Sequence, residues 1–219
     1  MIKNNNTVIV SVDGNIGSGK STFIKKLREK YGNNPDIYFV SEPVKEWEQL
    51  RSDDGKNLVE NYYTDKKRYA YIFQNFAYIS RLKRLYNALT NSKAKIIVTE
   101  RSVESDRYLF AKMLYQDGLL NKLEWDVYLS WYGFMNIKVD KIIYIHTTVD
   151  NCMNRIKIRH RPGEDLIERN YIENLHKKHE EWLSDKDNVT ILDGNMNIFE
   201  DDVFENHLNH CSSFFPSSD

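Results

Sequence analysis

Cysteine is scarce in this chain: two in 219 residues, Cys152 and Cys211, far apart in the sequence. Two such residues build no disulfide framework and have no metal-ligand spacing, which suits a reducing compartment. Long apolar runs are missing as well. The longest are strand-sized, well short of the roughly 18 residues that cross a bilayer, so no membrane partner is expected. Nor is there a surplus of one charge. Lys and Arg number 31 against 32 Asp and Glu, a net charge of −1, whereas nucleic-acid binders carry a basic excess. Nucleic acid is therefore not an expected partner. Met1 to Asn6 is short and polar, with neither the apolar stretch of a signal peptide nor an Arg-rich presequence. A cytoplasmic location is expected, although a processed organellar form would read the same way. Repeats and linkers are lacking too, which leaves one domain over residues 1–219 as the expectation.

What is present alternates. Short apolar runs at Thr7–Asp13, Ile37–Ser41, Lys95–Glu100, Lys141–His146 and Val189–Leu192 read as strands. They lack a period of two, as strands covered on both faces do. Helical patterns separate them, at Ser21–Tyr31, Asp65–Thr90, Ser102–Asp117, Glu124–Asn136, Val149–His160, Arg169–Ser184 and Phe199–His207. In Asp65–Thr90, Tyr69, Ile72, Phe73, Phe76, Ile79 and Leu82 recur at spacings of three and four, the signature of an amphipathic helix. Cys211–Asp219 reads as a frayed, flexible tail. The pattern predicts an α/β fold: a five-stranded parallel sheet flanked by helices.

Gly14-Asn15-Ile16-Gly17-Ser18-Gly19-Lys20-Ser21 fits G-x-x-x-x-G-K-[ST], between a strand and a helix. Backbone amides of such a loop and the helix N-terminus attract phosphate. Lys20 would neutralise the β- and γ-phosphates, and the Ser21 hydroxyl would ligate Mg²⁺. The loop and Thr22 thus predict a site for a nucleoside triphosphate. Neither N-K-x-D nor D-x-x-G occurs, which argues against a GTPase switch. The third strand ends Thr99-Glu100-Arg101 rather than in the Asp of a motor ATPase. A small chain with Arg155, Arg159 and Arg161 near one helix end suits a small-molecule kinase.

Gly14 to Thr22, Ser41-Glu42-Pro43-Val44 with Trp47, Phe73-Gln74, Glu100-Arg101-Ser102 and Arg159-His160-Arg161 occur in the order seen in the deoxynucleoside kinases. From about Thr7 to Asp193 the chain resembles that family. The resemblance implies a P-loop kinase fold, a homodimer, ATP with Mg²⁺ as donor, and transfer to the 5′-hydroxyl of a deoxynucleoside. Glu42 ends the second strand, where ligands bind in such sheets, and is by resemblance the general base. Glu100 would help hold Mg²⁺. Arg101 would contact the 5′-oxygen region and keep Glu42 ionised. Arg159 and Arg161, with Arg155 nearby, would close over the triphosphate as a lid at about 159–165, where Pro162-Gly163 replaces a more acidic stretch. Asp193 stands near the start of the family's adenine-sensing loop.

The base is read, by resemblance, by Gln74, whose amide offers a donor and an acceptor. Gln74, Ala77 and Arg81 share a helix face. Phe73 and Phe110 would wall the base, Trp47 would shape the pocket, and Ile16 would floor it. Tyr63 and Glu164 match the clamp on the sugar 3′-hydroxyl. An arginine and an aspartate at Arg81 and Asp106 mark the deoxycytidine and deoxyguanosine kinases. Such a pair fills the space of a thymine methyl and can accept from an exocyclic amine. Deoxycytidine or a purine deoxynucleoside is therefore expected over thymidine. The rival readings are a nucleoside monophosphate kinase such as a thymidylate kinase, and a non-catalytic nucleotide-binding subunit.

Overall fold

The computed structural model describes residues 7–161 and 164–215. Strands β1 (Val8–Asp13), β2 (Ile37–Val40), β3 (Ile96–Glu100), β4 (Lys141–His146) and β5 (Val189–Asp193) pair in parallel, in the order β2-β3-β1-β4-β5. Chain order and sheet order part company at β1: the chain leaves it for β2, then returns through β3 before crossing to β4. That reversal is the switch point at which α/β sheets bind ligands, beyond the carboxyl ends of the strands.

Successive strand residues point to opposite faces, and here both faces are dry. Ile9, Ile97, Ile142 and Tyr144 pack into one core, with Tyr78, Leu82 and Leu85. Val10, Val12, Val98, Ile143 and Ile145 pack into the other, with Phe23, Ile24 and Leu27. This explains the continuous apolar runs. The connecting helices are α1 (Lys20–Tyr31), α2 (Val44–Gln49), α3 (Leu58–Thr64), α4 (Lys66–Asn91), α5 (Val103–Ser105), α6 (Lys112–Gln116), α7 (Lys122–Phe134), α8 (Val149–Arg159), α9 (Arg169–Leu183) and α10 (Asp201–His210). Between α5 and α6 the chain widens into a π-helix, Asp106–Ala111, a distortion frequent at functional sites.

Two expectations are corrected. The apolar stripe of α4 is covered only in part: Leu82 lies in the core, but Ile72 and Ile79 are 49% and 42% exposed, while Gln74, Ala77 and Arg81 are buried. Periodicity finds an apolar face but does not say what it covers, and here the sheet takes Tyr78, Leu82 and Leu85 while the cavity described below takes Gln74, Ala77 and Arg81. The expected frayed tail, Cys211–Asp219, is corrected over residues 211–215, and 216–219 lie outside the described residues. Cys211, Phe214 and Phe215 are buried in the core beside α1 and α10, and Phe215 stacks on Tyr31 at 5.5 Å. Two aromatic side chains supply enough apolar area to hold a segment that lacks helical periodicity.

Candidate active site

The phosphate loop joins β1 to α1. Gly17 and Gly19 have φ of +77° and +103°, values that glycine adopts without strain. A Cβ on Gly17 would meet the Cys152 carbonyl oxygen at 2.5 Å. Side chains brace the loop from outside. Asn15 Nδ2 donates to the Ile172 carbonyl of α9 at 2.9 Å. Thr147 Oγ1 and Arg155 Nη1 both donate to the Ser18 carbonyl, at 2.9 and 3.0 Å. Lys20 lies inside, its ammonium on the Asn15 carbonyl at 2.6 Å. Burial, with Arg101 adding repulsion, lowers its pKa from 10.5 to about 7. Ser21 Oγ donates to Glu100 Oε1 at 2.5 Å. A hydroxyl and a carboxylate converging there are hard oxygen donors, the kind Mg²⁺ takes.

Glu42 closes the gap after β2. Its Oε1 accepts from Arg81 Nη2 at 3.1 Å and lies 3.4 Å from Arg101 Nε. Burial pushes this carboxyl up, but Arg81, Arg101 and Lys20 outweigh it, and the net shift is downward. Arg81 in turn forks onto Asp106, Nε to Oδ2 at 2.9 Å and Nη2 to Oδ1 at 3.3 Å. Burial raises the Asp106 carboxyl while Arg81 opposes the rise. Arg81 and Asp106 are only 3% and 1% exposed, so this is a buried pair and not a surface salt bridge.

Arg101 adopts φ of +61°, a left-handed conformation that costs a non-glycine residue roughly 1–2 kcal/mol. The turn is held by Arg101 N on the Val12 carbonyl and by Thr99 Oγ1 on the Arg101 carbonyl, both at 3.0 Å. The result aims the guanidinium at Glu42 and over the Phe110 ring, 4.9 Å from its centroid. Strain of this kind collects at functional sites.

One cavity of about 990 Å³, open mouth included, gathers Ile16, Gly17, Lys20, Ser21, Glu42, Trp47, Tyr63, Phe73, Gln74, Ala77, Arg81, Glu100, Arg101, Asp106, Phe110, Arg159, Arg161 and Glu164. Gln74 Nε2 donates to the Asp106 carbonyl at 3.3 Å. Trp47 Nε1 donates to Ser80 Oγ at 2.9 Å, and its ring meets Phe73 edge-on at 5.5 Å. Burial raises the Tyr63 phenol well above its ordinary range. Glu164 accepts both prongs of Arg159, Nε to Oε2 at 2.7 Å and Nη2 to Oε1. Pro162 and Gly163 lie outside the described residues.

Most of the remaining expected residues fall on a second cavity of about 600 Å³, open mouth included. Ser18, Gly19, Thr22, Arg155 and Asp193 line it with Gly194, Asn197 and Phe199. Arg155 and Arg159, one turn apart on α8, thus serve different cavities. Gly14 and Asn15 shape the loop without lining either.

Sequence reasoning missed Glu48, Val59, Tyr62, Leu114 and Tyr171 in the first cavity. Tyr62 stacks on Phe73 at 4.6 Å. A signal for α3, which carries Val59 and Tyr62, was available: Asn57-x-x-Glu60 is a capping box, with Glu60 N on Asn57 Oδ1 at 2.9 Å and Asn57 N on Glu60 Oε2 at 2.7 Å. No short-range signal marks Leu114 or Tyr171, because only the packing of α6 and α9 brings them here.

A model of the deoxynucleoside kinase family matches residues 10–215. The chain is 36% identical to a deoxycytidine kinase of Rattus norvegicus over 196 residues, covering 80% of this chain and 74% of the relative. It is 35% identical to a mitochondrial deoxyguanosine kinase of Xenopus laevis over 209 residues, 86% and 78% of the two chains. It is 40% identical to a probable deoxycytidine kinase of fowlpox virus over 180 residues, 80% and 72%. A phosphate loop braced from α8 and α9, a mostly covered acid sharing its cavity and matches of this extent make the chain a member of the deoxynucleoside kinase family.

Proposed function

We propose that this chain transfers the γ-phosphoryl group of ATP to the 5′-hydroxyl of a deoxynucleoside, with deoxycytidine or a purine deoxynucleoside preferred over thymidine, in nucleotide salvage. The observation that carries the reading is Glu42: a mostly covered carboxylate, lowered in pKa, that shares one cavity with Lys20 of the phosphate loop. A carboxylate there accepts the hydroxyl proton as the new P–O bond forms. Lys20, Arg159 and Arg161 take up the charge of the triphosphate, and Arg101 holds Glu42 ionised and faces the 5′-oxygen. Ser21 and Glu100 would hold Mg²⁺, which supplies neutralisation of the phosphate oxygens. The adenine and its ribose take the second cavity, with Asp193 and Arg155 at its wall.

Gln74 reads the base between Phe73 and Phe110, and the Arg81–Asp106 pair stands where a thymine methyl would go. Tyr63 and Glu164 take the sugar 3′-hydroxyl. Because Glu164 also grips Arg159, sugar binding and closure of the lid at about 159–165 share one carboxylate. Such coupling limits ATP hydrolysis in the absence of acceptor.

The working unit is a homodimer. Ile72, Ile79 and Tyr86 on α4 and Leu123, Val127, Trp131 and Phe134 on α7 are exposed apolar side chains spaced along one face of each helix, and exposed apolar patches mark association sites. Light scattering of the chain and of an Ile79→Asp, Phe134→Asp variant tests this: a wild-type monomer at micromolar concentration refutes it. Cys152 and Cys211 are both free, which suits the cytoplasm.

The deciding experiment is a coupled assay with the four deoxynucleosides and their monophosphates. The reading predicts turnover of deoxycytidine or the purines, little with thymidine and none with monophosphates. Turnover of a monophosphate but of no nucleoside would overturn it.

A further inference from the structure

Away from both cavities, β4 and α9 bring three ligand-type side chains together. His146 ends β4, and its carbonyl accepts from Gly194 N at 2.7 Å, which pins the backbone. His176 and Glu180 stand four residues apart on the fifteen-residue α9, a spacing that puts both on one face. One donor atom from each of the three lies within 4.8 Å of the others. His146 Nε2 is 3.6 Å from Glu180 Oε1, and the two imidazole centroids are 5.2 Å apart. None of the three lines either cavity.

Two further features bear on what the cluster does. Tyr144, two residues before His146 and so on the same strand face, donates its hydroxyl to Glu180 Oε1 at 2.7 Å. A donor behind a carboxylate is how ligating carboxylates are oriented. His176 Nδ1 is buried and has no hydrogen-bond partner among the described residues, so this imidazole holds unused coordinating capacity beside two other donors.

We propose that His146, His176 and Glu180 form a site for a first-row divalent transition-metal ion, Zn²⁺ by preference. Metal–ligand bonds of about 2.1 Å at tetrahedral angles place donors about 3.4 Å apart. The 3.6 Å pair already meets that spacing, and side-chain rotation closes the third. Two imidazoles with one carboxylate select the Zn²⁺ class over Mg²⁺, which takes oxygen and keeps its waters. The site is therefore chemically distinct from the oxygen donors Ser21 and Glu100. Three protein ligands at a half-exposed position leave a coordination place for water. The ion ties the end of β4 to α9, the helix whose Ile172 carbonyl braces Asn15 of the phosphate loop.

The test uses the full chain, stripped with chelator, without nucleotide or Mg²⁺. Titration calorimetry with ZnCl₂ should give one equivalent bound, and Co²⁺ should give the intense visible absorption of a low-coordinate site. Orienting groups typically account for roughly 10–100-fold in affinity. Tyr144→Phe should then weaken binding about 10-fold, and His146→Gln or Glu180→Gln more than about 100-fold. Side chains 38% and 50% exposed can be replaced without opening the core, so metal-free melting temperatures should stay near wild type. Zn²⁺ should raise the wild-type melting temperature and leave those of the two ligand variants unmoved. Absence of Zn²⁺ binding, a hexa-aquo-like Co²⁺ spectrum of the wild type, or affinity unchanged in both ligand variants would each overturn the proposal.

Discussion

Removing either half of the Arg81–Asp106 pair should cost more than removing both. The pair is 3% and 1% exposed, and a single deletion strands a charge that water cannot reach. Breaking such a pair costs about 3–5 kcal/mol, whereas replacing both partners with apolar groups is far milder. The two singles differ in this protein. Asp106→Ala leaves Arg81 with Glu42 at 3.1 Å, so its cost belongs near 3 kcal/mol. Arg81→Met strips the cation from two carboxylates at once and belongs near 5 kcal/mol. The double variant should fall near 2 kcal/mol, so against singles of about 3 and about 5 kcal/mol the coupling energy is about 6 kcal/mol, above the roughly 3 kcal/mol that residues in contact usually reach. Urea unfolding of the four proteins, with unchanged m-values, measures this. Singles that add to within ~0.5 kcal/mol would refute the buried-pair argument, as would Asp106→Ala being the worse single. The same proteins carry a kinetic check. Arg81 is the largest charge lowering the Glu42 pKa, so in Arg81→Met that pKa rises. The acid limb of kcat/KM should move to higher pH in Arg81→Met and stay near wild type in Asp106→Ala. No movement would separate Arg81 from Glu42.

Other outcomes follow from single features. Glu42→Gln should bind deoxynucleoside within a few-fold of wild type and lose roughly 10²–10⁴ in kcat; near-normal turnover would remove Glu42 from proton transfer. The Arg81→Met, Asp106→Ala variant should accept thymidine better relative to deoxycytidine, and a kcat/KM ratio that does not change would defeat the steric explanation. Burial raises the thiols of Cys152 and Cys211 to about 11 and about 12. A thiol reagent should therefore label neither at pH 8 in the native protein and both after denaturation. Phe214→Ala should destabilise by about 3 kcal/mol, the low end for a buried phenylalanine. A change under ~0.5 kcal/mol would return residues 211–215 to the surface.

Much could be read from local pattern. The glycine spacing, Lys20 and Ser21 define a phosphate loop because short-range backbone geometry alone builds it, and β4 was bounded to the residue because a dry strand needs a continuous apolar run. The α4 stripe misled for a related reason: a helix with apolar residues on one side and Gln74, Ala77 and Arg81 on another has two faces to bury, and periodicity cannot choose. The family resemblance already linked Arg101 to Glu42 and paired Arg81 with Asp106. That Arg81 reaches both carboxylates, and that Arg101 bends to a positive φ to face Glu42, depend on residues far apart in the chain.

The amino-acid order thus carried the nucleotide-binding loop, the alternation of strands and helices and the family, since each is built of short motifs whose own residues lie within about one turn or strand of one another. Folding decided the rest: which side of α4 is buried, that Phe214 and Phe215 belong to the core, that Arg155 and Arg159 part to separate cavities, and that His146 meets α9. Those outcomes depend on the strand order β2-β3-β1-β4-β5. Adjacency across a sheet is set by which surfaces can be kept dry together, a property of the whole chain that no window of sequence contains.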